Sequence, residues 1–221
     1  MMLSRFVFFM PAKAVASAAL QIMGVMTVVC AERSIVPIRV KNRGPLPVQL
    51  EFRAMSWRLE AGRSVMEKTL DLIAAPYLLD APAGGEVCFR LCLRAHDLES
   101  ERAYKLLIHS DRNPEAVVDA ASAFVTPIGA HATLDARIEE TANGRRLVLL
   151  NRGTARARIA HVLDSRAGLL SSCFYLLSGA CTHIPLPKDA RLITIAATDA
   201  DGSAITRSID AAALAPVALL T

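Results

Sequence analysis

Histidine and cysteine are the side chains best suited to ligate a metal or attack a carbonyl. This chain holds five of each, His96, His109, His131, His161 and His183 with Cys30, Cys88, Cys92, Cys173 and Cys181. Zinc draws tetrahedral N and S ligands from closely spaced pairs, yet no two histidines here are spaced HxxxH and no two cysteines CxxC. His161 and His183 could approach Cys173 or Cys181 only through the fold, and lone histidines on strands and loops are more simply hydrogen-bonded boundary residues. Nucleophilic catalysis would need a base placed beside a Ser or Cys, and the chain has no GxSxG elbow and no other such motif. Gly84-Gly85 opens a strand rather than a helix, so it is a turn and not a phosphate cradle, and Glu139-Glu140 reads as a solvated strand end. The expectation is a protein that is not an enzyme, with no catalytic residue, metal, cofactor or small-molecule substrate.

The cysteines have simpler uses. Cys88 and Cys92 lie four apart on one strand, about 13 Å from each other, too far to bond, and read as small core residues. Cys173 and Cys181 flank Phe174 to Ala180, where a chain reversal could bring them together as a disulfide. An odd number leaves at least one thiol unpaired in a monomer.

The elements that must position these residues are strands. Val36-Pro-Ile-Arg-Val-Lys-Asn-Arg-Gly44 and Arg146-Leu-Val-Leu-Leu-Asn-Arg-Gly153 are the same kind of edge, an apolar strand running into Asn and Gly, and the repetition divides the chain in two. Around the first copy we expect strands over 19–30, 35–41, 48–57, 86–94, 103–108 and 116–125, with a polar loop over 109–114. Around the second we expect strands over 132–139, 145–150, 155–163, 174–177, 191–199 and 204–209. Asn143-Gly144, Ser178-Gly179 and Asp201-Gly202 punctuate the second set at antiparallel spacing. Thr126-Pro-Ile-Gly129 interrupts the apolar pattern, so the domains are 19–127 and 128–221, each long enough to bury its own core. The class is all-β, with two sandwiches favoured over any helical or α/β architecture. Hydrophobic residues are 53% and aromatics only 5%, so the cores should be Val, Leu, Ile and Ala, and the single Trp57 stands out.

Residues 1–18 place Arg5 before Phe6-Val-Phe-Phe-Met10 and end in Ala16-Ser-Ala18, the pattern of a secretory signal peptide. Two units of the formal +4 charge sit in that leader, in Arg5 and Lys13. The remaining basic residues are scattered, with no run interleaved with stacking aromatics, so no nucleic acid partner is expected.

In order along the chain, Val36 to Gly44, Pro47-Val-Gln-Leu-Glu-Phe-Arg53 into Ser56-Trp57, Thr69-Leu-Asp-Leu72 before Pro76, and Glu101-Arg-Ala-Tyr-Lys-Leu-Leu107 resemble the periplasmic pilus-assembly chaperones of the chaperone/usher pathway. Trp57 after the third strand is similar to the archaic branch, and Tyr175-Leu-Leu-Ser-Gly179 is similar to a late Tyr-Leu-x-x-Gly stretch of the family. The resemblance implies two immunoglobulin-like sandwiches at an angle in the periplasm, with pilus or coat protein subunits and an outer-membrane usher as partners. It also implies that the closing strand of the first domain is lent to an incomplete subunit sandwich, which puts Val118, Ala120, Ser122 and Phe124, of one parity, at donor positions. The alternative is a non-catalytic structural or binding module of the envelope that keeps the chaperone fold without capping subunits.

The family anchors a subunit's terminal carboxylate with one cation in the opening strand and one in the donor strand. Laid along that pattern, this chain has Met26 at the first position and Val118 near the second, and no Lys or Arg lies between Lys13 and Arg33 or between Arg112 and Arg137. Met26 is therefore a subunit-site position without an anchor. Lys105 and Arg90, on neighbouring strands, are the cations left to stand in, and each reads as a solvated strand-edge residue.

Overall fold

Alternation of buried and exposed residues governs nearly every segment of this computed structural model, which describes residues 20–22, 26–29, 35–60, 62–94 and 98–211. In β3 (Ile35–Asn42), Ile38, Val40 and Asn42 point inward while Arg39 and Lys41 stay in water. The strands before it, β1 (Leu20–Ile22) and β2 (Met26–Val29), fall where one opening strand was expected. The segment changes sheets, since β1 pairs antiparallel with β3 and β2 pairs parallel with a much later strand.

Then follow β4 (Val48–Glu60), β5 (Arg63–Lys68), β6 (Leu72–Ala75), β7 (Leu78–Ala81), β8 (Glu86–Leu93), β9 (Arg102–Ser110) and β10 (Asn113–Thr126). One sheet runs β1-β3-β8-β6; the other runs β2-β10-β9-β4, with β7 and β5 sharing the far edge of the long β4. Their inner faces enclose Ile38, Val40, Phe89 and Leu91 from one side and Leu50, Phe52, Leu106 and Ile108 from the other. The loop expected over 109–114 is instead a turn at Asp111-Arg112, because β9 continues to Ser110 and β10 starts at Asn113.

The second half contributes β11 (Leu134–Thr141), β12 (Gly144–Asn151), β13 (Ala157–Asp164), β14 (Gly168–Leu176), β15 (Cys181–Pro185), β16 (Leu192–Thr198) and β17 (Ala204–Asp210). They form the sheets β11-β12-β15 and β14-β13-β16-β17, and no described strand of one half pairs with a strand of the other. Leu147, Leu149 and Ile184 meet Ile159, Leu176 and Ile193 in their core.

Both Asn-Arg-Gly edges are built alike. The Asn42 side chain donates to the carbonyls of Leu46 and Ala81, both at 3.0 Å, and accepts from Gly44 N–H at 2.9 Å. Asn151, fully buried, donates to Ala155 O at 2.7 Å and Leu176 O at 3.0 Å and accepts from Gly153 N–H at 3.0 Å. Each amide ties a strand end to backbone that would otherwise be buried unpaired. A side chain on Gly153 would strike the backbone of residues 131–133, which explains glycine there.

The cysteine expectations are corrected. Cys88, Cys92, Cys173 and Cys181 are all free, so the Cys173–Cys181 pair is not a disulfide. Cys88 is exposed and Cys92 half-buried, because Phe89, Leu91 and Leu93 take the core face of β8. The leader and Cys30 lie outside the described residues.

Candidate functional site

The outward face of the β4-β9-β10 sheet carries three rows of side chains in register. Trp57, Ala103 and Phe124 form the lowest row, Met55, Lys105 and Ser122 the middle, and Arg53, Leu107 and Ala120 the uppermost.

The lowest row belongs to the junction between the halves. Phe124 is fully buried and packs into the second core, with its ring 6.1 Å from Trp57 and 5.0 Å from Tyr175. Tyr175 meets Trp57 edge-on at 6.5 Å, which gives Tyr175-Leu-Leu-Ser-Gly179 a place at this junction. Aromatic side chains, scarce overall, are concentrated here. An ion pair completes the row, Glu101 with Arg156, whose guanidinium lies 4.0 Å above the Phe124 ring. Glu101 also accepts from Thr126 Oγ1 at 2.6 Å and from Arg156 N–H at 3.1 Å, so its carboxylate joins the start of β9, the end of β10 and the approach to β13. A cleft of about 400 Å³ opens beside this row between Trp57, Ala103, Leu177 and Gly179.

In the middle row Lys105 is half-buried rather than solvated. Its Nζ donates to Ser122 Oγ at 2.7 Å and sits 4.0 Å from the centre of the Trp57 ring. Burial pushes the Lys105 ammonium pKa down. The other cation considered, Arg90, is exposed on β8 in the opposite sheet, remote from these rows in the topology.

The edge of β10 is half covered. β2 pairs with Ala123 to Thr126, Met26 standing opposite Ala123, while Asn113, Val117 and residues 119–122 pair with β9 on one side and have no described strand on the other. Such an edge offers unsatisfied backbone donors and acceptors to another chain.

The four donor positions do not share a face. The register slips between Val117 and Asp119, leaving Val118 as an extra residue, and beyond this bulge parity changes. Val118 packs against the first core, Ala120 is exposed, Ser122 is buried against Lys105, and Phe124 lies in the covered part of the strand. The structure thus brings Ser122 and the backbone of Met26 to one place and separates Phe124 from the open edge. Sequence reasoning missed Glu101 and Arg156 as partners, since 55 residues separate them and no local pattern couples them.

Among the described residues no group of three His, Cys, Asp or Glu side chains lies close enough to hold a metal ion, and no helix is long and apolar enough to cross a membrane. Of the histidines, His109 is buried and its Nδ1 lies 3.0 Å from the Pro114 carbonyl.

Two sandwiches, one with an edge that no described strand covers beside a half-buried cation, define an all-β protein of immunoglobulin-like architecture. No protein-family model matches the chain, and no curated protein matches its sequence. Solved structures are similar in fold. A chain of the CsuC–CsuE chaperone–tip adhesion subunit pre-assembly complex, from the archaic chaperone-usher Csu pili of Acinetobacter baumannii, aligns with 87% of this chain and 98% of its own length, at a TM-score of 0.69 and 16% identity. The E. coli chaperone DraB aligns with 86% of this chain and 96% of its own, at 0.62 and 11%. The periplasmic chaperone SfaE aligns with 86% and 98%, at 0.57 and 12%. This chain has the two-sandwich fold of the pilus-assembly chaperones.

Proposed function

We propose that this chain is a periplasmic chaperone that lends the open edge of β10 to pilus or coat protein subunits and delivers them to an outer-membrane usher. The observation that carries the reading is the edge itself, covered by no described strand before Ala123 and closed by β2 from Ala123 onward. A subunit sandwich lacking one strand would find there the backbone partners it needs, with no chemical step. Val118, Ala120 and Ser122 are the donor positions retained by this proposal, and Met26 marks where the loan stops. Phe124 is assigned to the junction between the sandwiches. The proposed units are a leader over 1–18 and domains over 19–127 and 128–221. The fold likeness to a chaperone complex with a tip adhesion subunit supports the same reading.

The test is periplasmic co-expression with candidate pilus or coat protein subunits, then purification and mass spectrometry. The expected result is a one-to-one complex. Val117→Asp with Ala120→Asp, both exposed along the open edge, should leave the protein folded and lower subunit recovery at least tenfold. Equal recovery by this variant, or no subunit bound by the parent chain, would sink the proposal.

A further inference from the structure

We infer that Asp119 guards the open edge of β10 and sets which strand it accepts, one that brings a Lys or Arg side chain to take the Asp119 carboxylate. The inference rests on the strand-lending reading above and names the chemistry of the chain that the edge would admit.

The backbone directions of the sheet carry the first step. Phe52 N–H donates to Tyr77 O at 2.8 Å, and Asp111 N–H donates to Gln49 O at 3.1 Å. On β4, therefore, the N–H and C=O of Phe52 face β7, and those of Gln49, Glu51 and Arg53 face β9. Arg53 stands opposite Leu107, so the backbone groups of Leu107 point to β4 and away from β10. Ala120 stands opposite Leu107 on the other side, and Ser122 opposite Lys105. Both thus turn their N–H and C=O to the edge that no described strand covers.

Of these two edge donors, one is already taken. The Ala120 N–H donates to Asp119 Oδ1 at 2.8 Å. A strand that pairs with Ala120 offers a carbonyl to the same N–H and has to displace the carboxylate. Asp119 stands opposite the fully buried Ile108, so its side chain leaves β10 on the core-facing side and is half-buried there. A charge turned inward on an edge strand is one of the devices by which sheets refuse indiscriminate pairing.

The displaced carboxylate needs a partner in place of the Ala120 N–H, because a half-buried charge stripped of a hydrogen bond is costly. The strands that frame the edge supply no cation, since β1, β2 and β10 carry no Lys or Arg. Lys105 projects from the outward face, where Ser122 and Trp57 hold it. The cation must come from the incoming strand, where an opposite charge across the pair is favourable and a like charge is not. Asp119 therefore selects by repulsion as well as by attraction.

The probes are the peptides Thr-Val-Lys-Val-Thr-Val and Thr-Val-Glu-Val-Thr-Val, each capped by fluorescein at the amino end and by an amide at the other, titrated by anisotropy at constant ionic strength. The parent should bind the Lys peptide at least about tenfold more tightly than the Glu peptide. Asp119→Ala and Asp119→Asn should bind the two within about threefold of each other. Hydrogen exchange of the Ala120 amide, read by NMR, should be at least about tenfold faster in Asp119→Ala and near the parent's rate in Asp119→Asn, whose amide oxygen can still accept the bond. A parent that binds neither peptide or binds both alike, an Asp119→Ala protein that keeps the preference, or an unchanged Ala120 exchange rate in that variant overturns the inference. Subunit capture without the peptide preference refutes the guard alone, and a peptide preference without subunit capture refutes the assembly reading alone.

Discussion

Replacing Glu101 by Gln tests whether the two sandwiches are held together by the ion pair at their junction. The side chains of Arg156 and Glu101 are only 9% and 2% exposed, and the carboxylate also accepts from Thr126 Oγ1 at 2.6 Å and from Arg156 N–H at 3.1 Å. Gln keeps the shape but has one acceptor oxygen in place of two, so its amide N–H₂ must face either the Arg156 guanidinium or the Arg156 N–H. Leaving one member of a buried pair uncompensated costs about 3–5 kcal/mol. A domain of ordinary size has a total stability of roughly 5–15 kcal/mol, so the loss should be conspicuous. Urea unfolding followed by Trp57 fluorescence, which sees the junction, and by far-ultraviolet circular dichroism, which sees all the strands, is the assay. The expected result is a fluorescence transition shifted to lower urea by at least about 3 kcal/mol and separated from the dichroism curve. Asp135→Asn is the internal control. It breaks the exposed Arg152–Asp135 pair, whose side chains are 61% and 52% exposed, and should cost under about 1 kcal/mol. A Glu101→Gln protein no less stable than this control refutes the reasoning.

Two further outcomes follow from the second half. Asp164 is buried at the end of β13, and the N–H groups of Ala167 at 2.8 Å, Arg191 at 3.0 Å and Arg166 at 3.2 Å hold its carboxyl below the ordinary 3.8. A lowered folded pKa means that the native state binds fewer protons, so this stability is present above about pH 4 and is lost as pH falls through the depressed value. Asp164→Asn should be less stable than the parent at pH 7 and show a flatter acid limb, read from urea midpoints between pH 2 and 7; parallel limbs would contradict it. Some acid slope should remain, because Glu51, Glu67, Glu139 and Asp201 are also shifted down. Gly153→Ala would place a Cβ 2.2 Å from His131 O and 2.5 Å from Thr133 N, backbone atoms that cannot rotate away. The expected loss is about 1–3 kcal/mol, and a melt unchanged within error would show that residues 131–133 yield freely.

Much of this architecture was legible because alternation and turn residues are local. The paired Asn-Arg-Gly edges at 42–44 and 151–153 announced two related strand ends, and both prove to be built on a buried amide. β15 escaped because Cys181-Thr-His-Ile-Pro185 has little alternation and ends in proline; it is recognisable only as the partner of β12. The donor face was misread for a different reason. Parity counts residues, and one extra residue at Val118 reverses the count beyond it, a bulge that nothing in Ala116 to Val125 marks. Lys105 was read as solvated because it alternates with Tyr104 and Leu106, which do face the core. That alternation is correct, but the outward face is not all water. Trp57 and Ser122 lie on either side of it through registers set by β4 and β10, strands whose positions no local window contains.

Trp57 joins the two roles of this sheet. Its ring packs with Phe124 and Tyr175 at the junction and also underlies the Lys105 ammonium. The junction is therefore more than a hinge between two sandwiches. By burying the lowest row it fixes the indole, and the fixed indole keeps Lys105 half desolvated beside Ser122.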